Sequence, residues 1–314
     1  MSNKKILVTG CAGFIGSHLT EKLLAEGNSV IGIDCFRDYY DPAIKEQNIS
    51  GFVNHPSFTL IREDICFMDS FPNVDYVFHL AAQAGVRASW GNSFDQYTHD
   101  NITATQRLLE WYKDKIELKK FVYASSSSVY GNAPVYPVSE DVIPQPVSPY
   151  GVTKLAGEHL CRLYYVNYGL PTVALRYFTV YGPRQRPDMA IHKFMKAILE
   201  GREIEIYGDG TQMRDFTYVD DVVRANILAA EKGVTGEVYN IGGGERYSVL
   251  SLIQLIERHL DKKARLSFIP VQYGDVKDTW ADTSRLKNDC SWRPEITLDR
   301  GINYMKQWII NSIL

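Results

Sequence analysis

Six short, β-rich apolar runs, most of them separated by helix-length segments, restrict this chain to an α/β fold before any single residue is weighed. They are KKILVT (4–9), SVIGID (29–34), FTLIRED (58–64), YVFHLA (76–81), KFVYASS (120–126) and TVALRYF (172–178). Strands alternating with helices predict a parallel, doubly wound sheet of Rossmann type. Several runs are continuously apolar instead of alternating, the pattern of strands covered by helices on both faces. After Phe178 the pattern loosens into TVYGPRQRPDMA, an isolated strand IEIYG and a turn DGTQ, which predicts a smaller α/β lobe. DDVVRANILAAEK and EVYNIG then read as a helix and strand returning to the main sheet. The expected division is 1–178 with 217–242 for the first domain and 179–216 with 243–314 for the second.

Length and composition fit small-molecule chemistry. The 314 residues carry 23% charged side chains and a formal net charge of -3, so no basic excess draws the chain to nucleic acid or anionic lipid. The five cysteines are far apart and form no CxxC pair, which predicts reduced thiols and neither a disulfide framework nor a zinc site. MSNKKILVTG runs straight into a strand pattern, and no run is long enough to span a membrane. The expected location is the cytoplasm. The seven histidines form no HxxxH or HExxH pair, so no metal is expected, and His79 reads as a satisfied interior residue.

Gly10, Gly13 and Gly16 follow the first strand and open a helix beginning near Phe14 and Ile15, while Asp34 ends the second strand. That context matches a dinucleotide fingerprint. Glycine lets the backbone approach a pyrophosphate, whose charge then meets the positive end of the helix. Asp34 can accept hydrogen bonds from the adenosine ribose hydroxyls and would repel a 2′-phosphate, which predicts NAD over NADP. Arg37 close by works against that preference.

The GxxGxxG spacing together with Tyr150-Gly-Val-Thr-Lys154 resembles the extended short-chain dehydrogenase/reductase family over nearly the whole chain. HLAA (79–82), Asn101 in NITAT, SSSSVYG (125–131), SPYGVTK (148–154), RDFTYVDD (214–221) and YNIGGG (239–244) carry the same likeness. The resemblance implies that Asp64 and Ile65 flank adenine, that Leu80, Ala81 and Ala82 line the cofactor cleft, and that Asn101 and Tyr177 belong to the same site. Pro149 with Ser148 as N-cap suits a helix start, and the i,i+4 spacing puts Tyr150 and Lys154 on one face. A phenol with an ordinary pKa of about 10 needs about 4 kcal/mol of differential stabilisation to act as a base at neutral pH. Lys154 and the nicotinium are the expected source. Ser126 is expected to hydrogen-bond the reacting oxygen, which completes a catalytic trio of Ser126, Tyr150 and Lys154.

Substrate class follows from the residues after Ser126. Sugar-nucleotide 4,6-dehydratases of this family carry an Asp-Glu pair there, and glucuronate decarboxylases tend to carry Glu at the second position, whereas this chain has Ser127 and Ser128. Epimerisation at C4 remains. DCFRDYYDPAIK (34–45), GVRASWGN (85–92) and RYFTVYGPRQRPDMA (176–190) resemble UDP-glucuronate 4-epimerases more than UDP-galactose ones. On that reading Ser127, Ser128 and Thr179 donate to a C6 carboxylate and Arg87 and Arg186 offset its charge. The resemblance also implies Arg214 near the diphosphate, Asp275 near the uridine ribose and Tyr207 near uracil. A neutral or N-acetylated UDP-sugar, decarboxylation and a non-catalytic scaffold stay open as alternatives. Helices near 93–115 and 150–167 resemble those that pair in dimeric relatives, so a homodimer is expected.

Overall fold

A computed structural model describes residues 1–271 and 273–313. All six expected runs form strands: β1 (Lys5–Thr9), β2 (Ser29–Ile33), β3 (Phe58–Ile61), β4 (Tyr76–His79), β5 (Lys120–Ser126) and β6 (Thr172–Tyr177). Six further strands follow: β7 (Thr179–Tyr181), β8 (Glu203–Tyr207), β9 (Met213–Tyr218), β10 (Val238–Ile241), β11 (Arg246–Ser248) and β12 (Arg265–Ile269). FTLIRED stops at Ile61 because Asp64 turns the chain, its carboxylate accepting from Cys66 N at 2.9 Å.

Seven strands make one sheet in the order β10-β6-β5-β4-β1-β2-β3, and every neighbouring pair is parallel. This is a doubly wound, Rossmann-like architecture. The period-2 geometry of a strand explains the uniformly apolar runs. In β1, Ile6 and Val8 enter one core while Leu7 enters the other. In β5, Val122 and Ala124 face the first core and Phe121 and Tyr123 the second. Helices cover both faces, so no residue of β5 or β6 is exposed.

The later chain departs from the pattern in two places. IEIYG is not isolated: β8 pairs in parallel with β12, with Ile206 opposite Phe268. The Gly/Pro/Arg-rich stretch opens with a true strand, β7, beside β9, which in turn pairs antiparallel with β11. β9 therefore runs through the expected boundary at 216/217. The helix Val219–Lys232 packs against β5 and β6, and β10 extends the main sheet beyond β6. No helix among the described residues is long and apolar enough to cross a membrane.

Candidate active site

Strand order reverses on either side of β1, because β2 continues to one edge and β4 to the other. The carboxyl ends of strands at such a switch point form the crevice where open α/β sheets bind ligands. A cleft opens there, lined by Gly10, Gly13, Phe14, Ile15, Gly16, Asp34, Asp64, Ile65, Leu80, Ala81, Ala82, Tyr150, Lys154 and Tyr177. The helix Phe14–Ala25 begins at Gly13 with no side-chain cap, which leaves its first N–H groups free to receive an anion. Cofactor positions read from the sequence thus converge, Asn101 excepted.

Asn101 lies on a π-helical turn, Thr98–Thr103, and is buried. Its Oδ1 accepts from Gln83 N at 2.8 Å and its Nδ2 donates to Gln83 O at 3.0 Å. The residue fixes the loop after β4, whose Gln83 lines the cleft. His79 is interior as expected, held between the Thr9 and Thr105 hydroxyls at 2.8 and 2.9 Å, and burial pushes it down to about 3. Thr9 Oγ1 also accepts from Ala81 N at 3.1 Å, so this polar chain sets the wall that the resemblance gave to the cofactor.

The end of the cleft around Asp34 holds more charge than the sequence suggests. Asp34 accepts from Ala12 N, Phe36 N and, at 2.8 Å, Lys45 Nζ. Arg37 donates to Asp64 at 2.8 Å and to Asp100 at 3.1 Å. Burial raises the Asp64 carboxyl, but the Cys66 amide, His99 and Arg37 outweigh it and hold the group below its ordinary range. Ligand-capable atoms of Asp64, Cys66 and His99 lie within 4.8 Å of one another, and the Arg37 guanidinium already compensates that carboxylate. Tyr39, Tyr40, Lys45 and Gln83 line the cleft without having been singled out in the sequence.

The helix Pro149–Tyr168 starts as expected, Ser148 Oγ accepting from Gly151 N at 3.1 Å. A Cβ on Gly151 would sit 2.5 Å from Ser128 O, so glycine is what lets this helix rest against the serine turn. Lys154 Nζ donates to Ala124 O at 2.9 Å, and burial, opposed by Glu158 and Cys161, pushes the lysine down to about 7. Burial also raises the Tyr150 phenol, with Ser126 and Arg186 opposing the rise. Ser126 and Arg186 thus favour the phenolate, and the ammonium of Lys154 is anchored on a β5 carbonyl one helical turn from Tyr150.

Ser126 Oγ accepts from Ser128 N and donates to Ser128 Oγ, both at 3.1 Å. Arg186 lines the cleft with Tyr150 and is held by Asp188 through Nε and Nη2, each at 2.9 Å. Thr179 opens β7, half-buried, immediately beyond Phe178. Arg87 falls elsewhere than expected. Its Nη2 donates to Asp275 at 2.6 Å and its guanidinium lies 3.8 Å from the centre of the Tyr207 ring. It joins Asp275 and Tyr207, the two residues expected at the nucleotide end, because its charge is already paired and stacked there. Arg214 donates to the carbonyls of Met213, Val276 and Lys277, and so supports the loop carrying Asp275.

This geometry defines a dinucleotide-dependent enzyme with a half-buried tyrosine lining its cofactor cleft. The chain belongs to the NAD dependent epimerase/dehydratase family, whose model matches residues 6–242. It is 46% identical to a Bacillus subtilis protein described as an uncharacterized UDP-glucose epimerase, over 95% of each chain. It is 43% identical to a UDP-glucuronate 4-epimerase of Thermodesulfobacterium geofontis, over 98% of this chain and 96% of the relative. The crystal structure of a Bacillus cereus UDP-glucuronic acid 4-epimerase, in complex with UDP-glucuronic acid and NAD, is similar with a TM-score of 0.95. It shares 47% identity over 98% of this chain and 99% of that one.

Proposed function

We propose that the chain interconverts UDP-glucuronic acid and UDP-galacturonic acid by NAD-dependent oxidation and re-reduction at C4. One observation carries the proposal: Tyr150, Lys154 and Arg186 meet the dinucleotide loop in a single cleft, next to a turn that offers hydroxyls and no carboxylate. The likeness to enzymes of that name over nearly the full chain supports the substrate class. Segments 1–178 and 217–242 hold the cofactor in this reading, and 179–216 with 243–314 the sugar nucleotide.

When bound, NAD supplies the acceptor and then the donor of hydride. Tyr150 takes the C4 hydroxyl proton and returns it once the sugar has turned its other face to the cofactor. Ser126 steadies the reacting oxygen. The oxidised sugar is a β-keto acid, which loses carbon dioxide when its carboxylate bond aligns with the carbonyl π system. Ser127, Ser128, Thr179 and Arg186 hold the carboxylate out of that alignment.

Purified protein incubated with UDP-glucuronate and no added NAD is expected to yield UDP-galacturonate on nucleotide-sugar chromatography. Thr179→Ala and Arg186→Ala are expected to raise UDP-pentose by-products or slow epimerisation. Unchanged product ratios and rates in both variants would remove the carboxylate from this corner. The pairing of Arg186 with Asp188 favours a second reading, a neutral-sugar 4-epimerase, since that guanidinium is already compensated. UDP-glucose in the same assay separates the two: it turns over faster than the uronic acid only if the second is right.

The helix Pro149–Tyr168 leaves Leu163, Val166 and Tyr168 exposed, and covering them against a second copy accounts for the expected homodimer. Sedimentation at micromolar protein is expected to give twice the chain mass. A monomer there ends the dimer proposal without touching the chemistry.

A further inference from the structure

Glu158 lies one helical turn beyond Lys154 and two beyond Tyr150, so the three side chains follow one stripe of the helix Pro149–Tyr168. It is buried, as are Arg176, Ser125 and Lys154. Arg176 grips its carboxylate with both arms, Nε to Oε1 at 2.9 Å and Nη2 to Oε2 at 2.7 Å. Ser125, directly opposite Arg176 in the sheet register, donates its hydroxyl to the same Oε1. The remaining Arg176 nitrogen donates to Tyr130 OH at 2.8 Å, and that phenol donates to Asn240 at 2.7 Å. Every partner is satisfied. Ser125, Ala124 and Lys154 all line the cofactor cleft.

A buried ion pair gains little over well-packed apolar residues, because desolvation offsets most of its attraction. Its placement here gives it another use. The groups facing Lys154 are Glu158 and Cys161 on its own helix, the Ala124 carbonyl and the Tyr123 ring on β5, and His79 on β4. His79 is neutral, and burial pushes the Cys161 thiol up so that it stays protonated. Among the described residues that bear on Lys154, Glu158 is the carboxylate. A lysine this deeply buried otherwise tends to shed its proton.

We propose that Glu158 is a positioning residue of the reaction: clamped by Arg176, it keeps Lys154 cationic one turn from Tyr150 and fixes the Ser125 hydroxyl in the cofactor wall. The inference rests on Tyr150 and Lys154 acting as read above. The sign follows from charge. Without the carboxylate Lys154 gives up its proton more readily, the phenolate loses a nearby cation, and the phenol needs a higher pH to ionise. The rising limb of kcat against pH then moves to more alkaline values.

The test is Glu158→Gln, which keeps the shape and removes the charge, with kcat and KM for UDP-glucuronate measured from pH 6 to pH 10. The expected result is a limb displaced upward by about one pH unit, so that kcat near neutrality drops about tenfold and recovers at high pH, with KM changed less than about twofold. Glu158→Gln leaves a buried guanidinium unpaired and can cost the fold. Glu158→Gln with Arg176→Gln removes both charges and must displace the limb in the same direction. A profile that overlays the wild type, or a loss equal at every pH, overturns the proposal. Failure of the underlying reading looks different: Tyr150→Phe stays active, and the wild type shows no rising limb.

Discussion

Tyr150→Phe is expected to fold, keep its cofactor and lose kcat by about a thousandfold or more, at the strong end of what a positioned acid-base group contributes. The substitution removes one oxygen and nothing else. The ring keeps its edge-to-face contact with Tyr97, whose centroid lies 6.2 Å away at 76°. Burial raises the phenol, so deleting the hydroxyl also removes a group that is costly to ionise inside the protein. Thermal stability should therefore hold or rise while turnover collapses. KM should stay near that of the wild type, since the phenol acts on the proton in transit. Initial rates with UDP-glucuronate check this directly. Activity within tenfold of the wild type in a normally folded variant would show that some other group moves the proton.

The same burial makes the pH dependence of the wild type informative. Its protein surroundings leave the phenol above its ordinary value despite Ser126 and Arg186. Activity that depends on the phenolate must rise with pH through the neutral range, its position set by how far the bound cofactor's positive charge lowers the phenol. Lys154, pushed down to about 7, loses its proton in the same window. The two titrations are coupled and belong to the pair.

What could be read in the sequence was whatever is local along the chain. Strands of the main sheet were legible because each is a short apolar run closed by a turn, and the dinucleotide loop because its three glycines fall between a strand and a helix. Tyr150 and Lys154 were legible because four residues make one helical turn. Pairings between distant segments left no such trace. β8 meets β12 across some sixty residues, and a three-residue strand such as β7 is too short to show a period. Arg87 and Asp275, 188 residues apart, find each other only in the folded chain, so the sequence presents each as a separate ligand. Glu158 sits at the right spacing from Lys154, yet nothing near it announces that Arg176 and Ser125 close around it. Asn101 belonged to a recognisable motif, but its clamp on Gln83 depends on a π-helical turn that composition does not predict.

The cofactor loop admits a sharper test, because its glycines are not equivalent. Gly10 has φ of +70° and receives Gly13 N on its carbonyl at 3.0 Å, which curls the loop into the start of the helix. A Cβ on Gly16 would stand 2.0 Å from that same carbonyl oxygen, backbone against side chain with no flexible end to move. A Cβ on Gly13 would stand 3.2 Å from it, a crowding that a shift of a few tenths of an ångström relieves. Gly16→Ala must therefore push the helix away from the loop and spoil the approach of both to a pyrophosphate, whereas Gly13→Ala need only tighten it. Gly16→Ala is expected to purify without NAD and to bind added NAD at least about a hundredfold more weakly, which corresponds to about 2.7 kcal/mol. Gly13→Ala should lose less than about tenfold. Cofactor content after denaturation and titration calorimetry with NAD measure both. Should the two alanines weaken NAD equally, or Gly13→Ala more, the contact of helix with loop would not be what shapes the phosphate site.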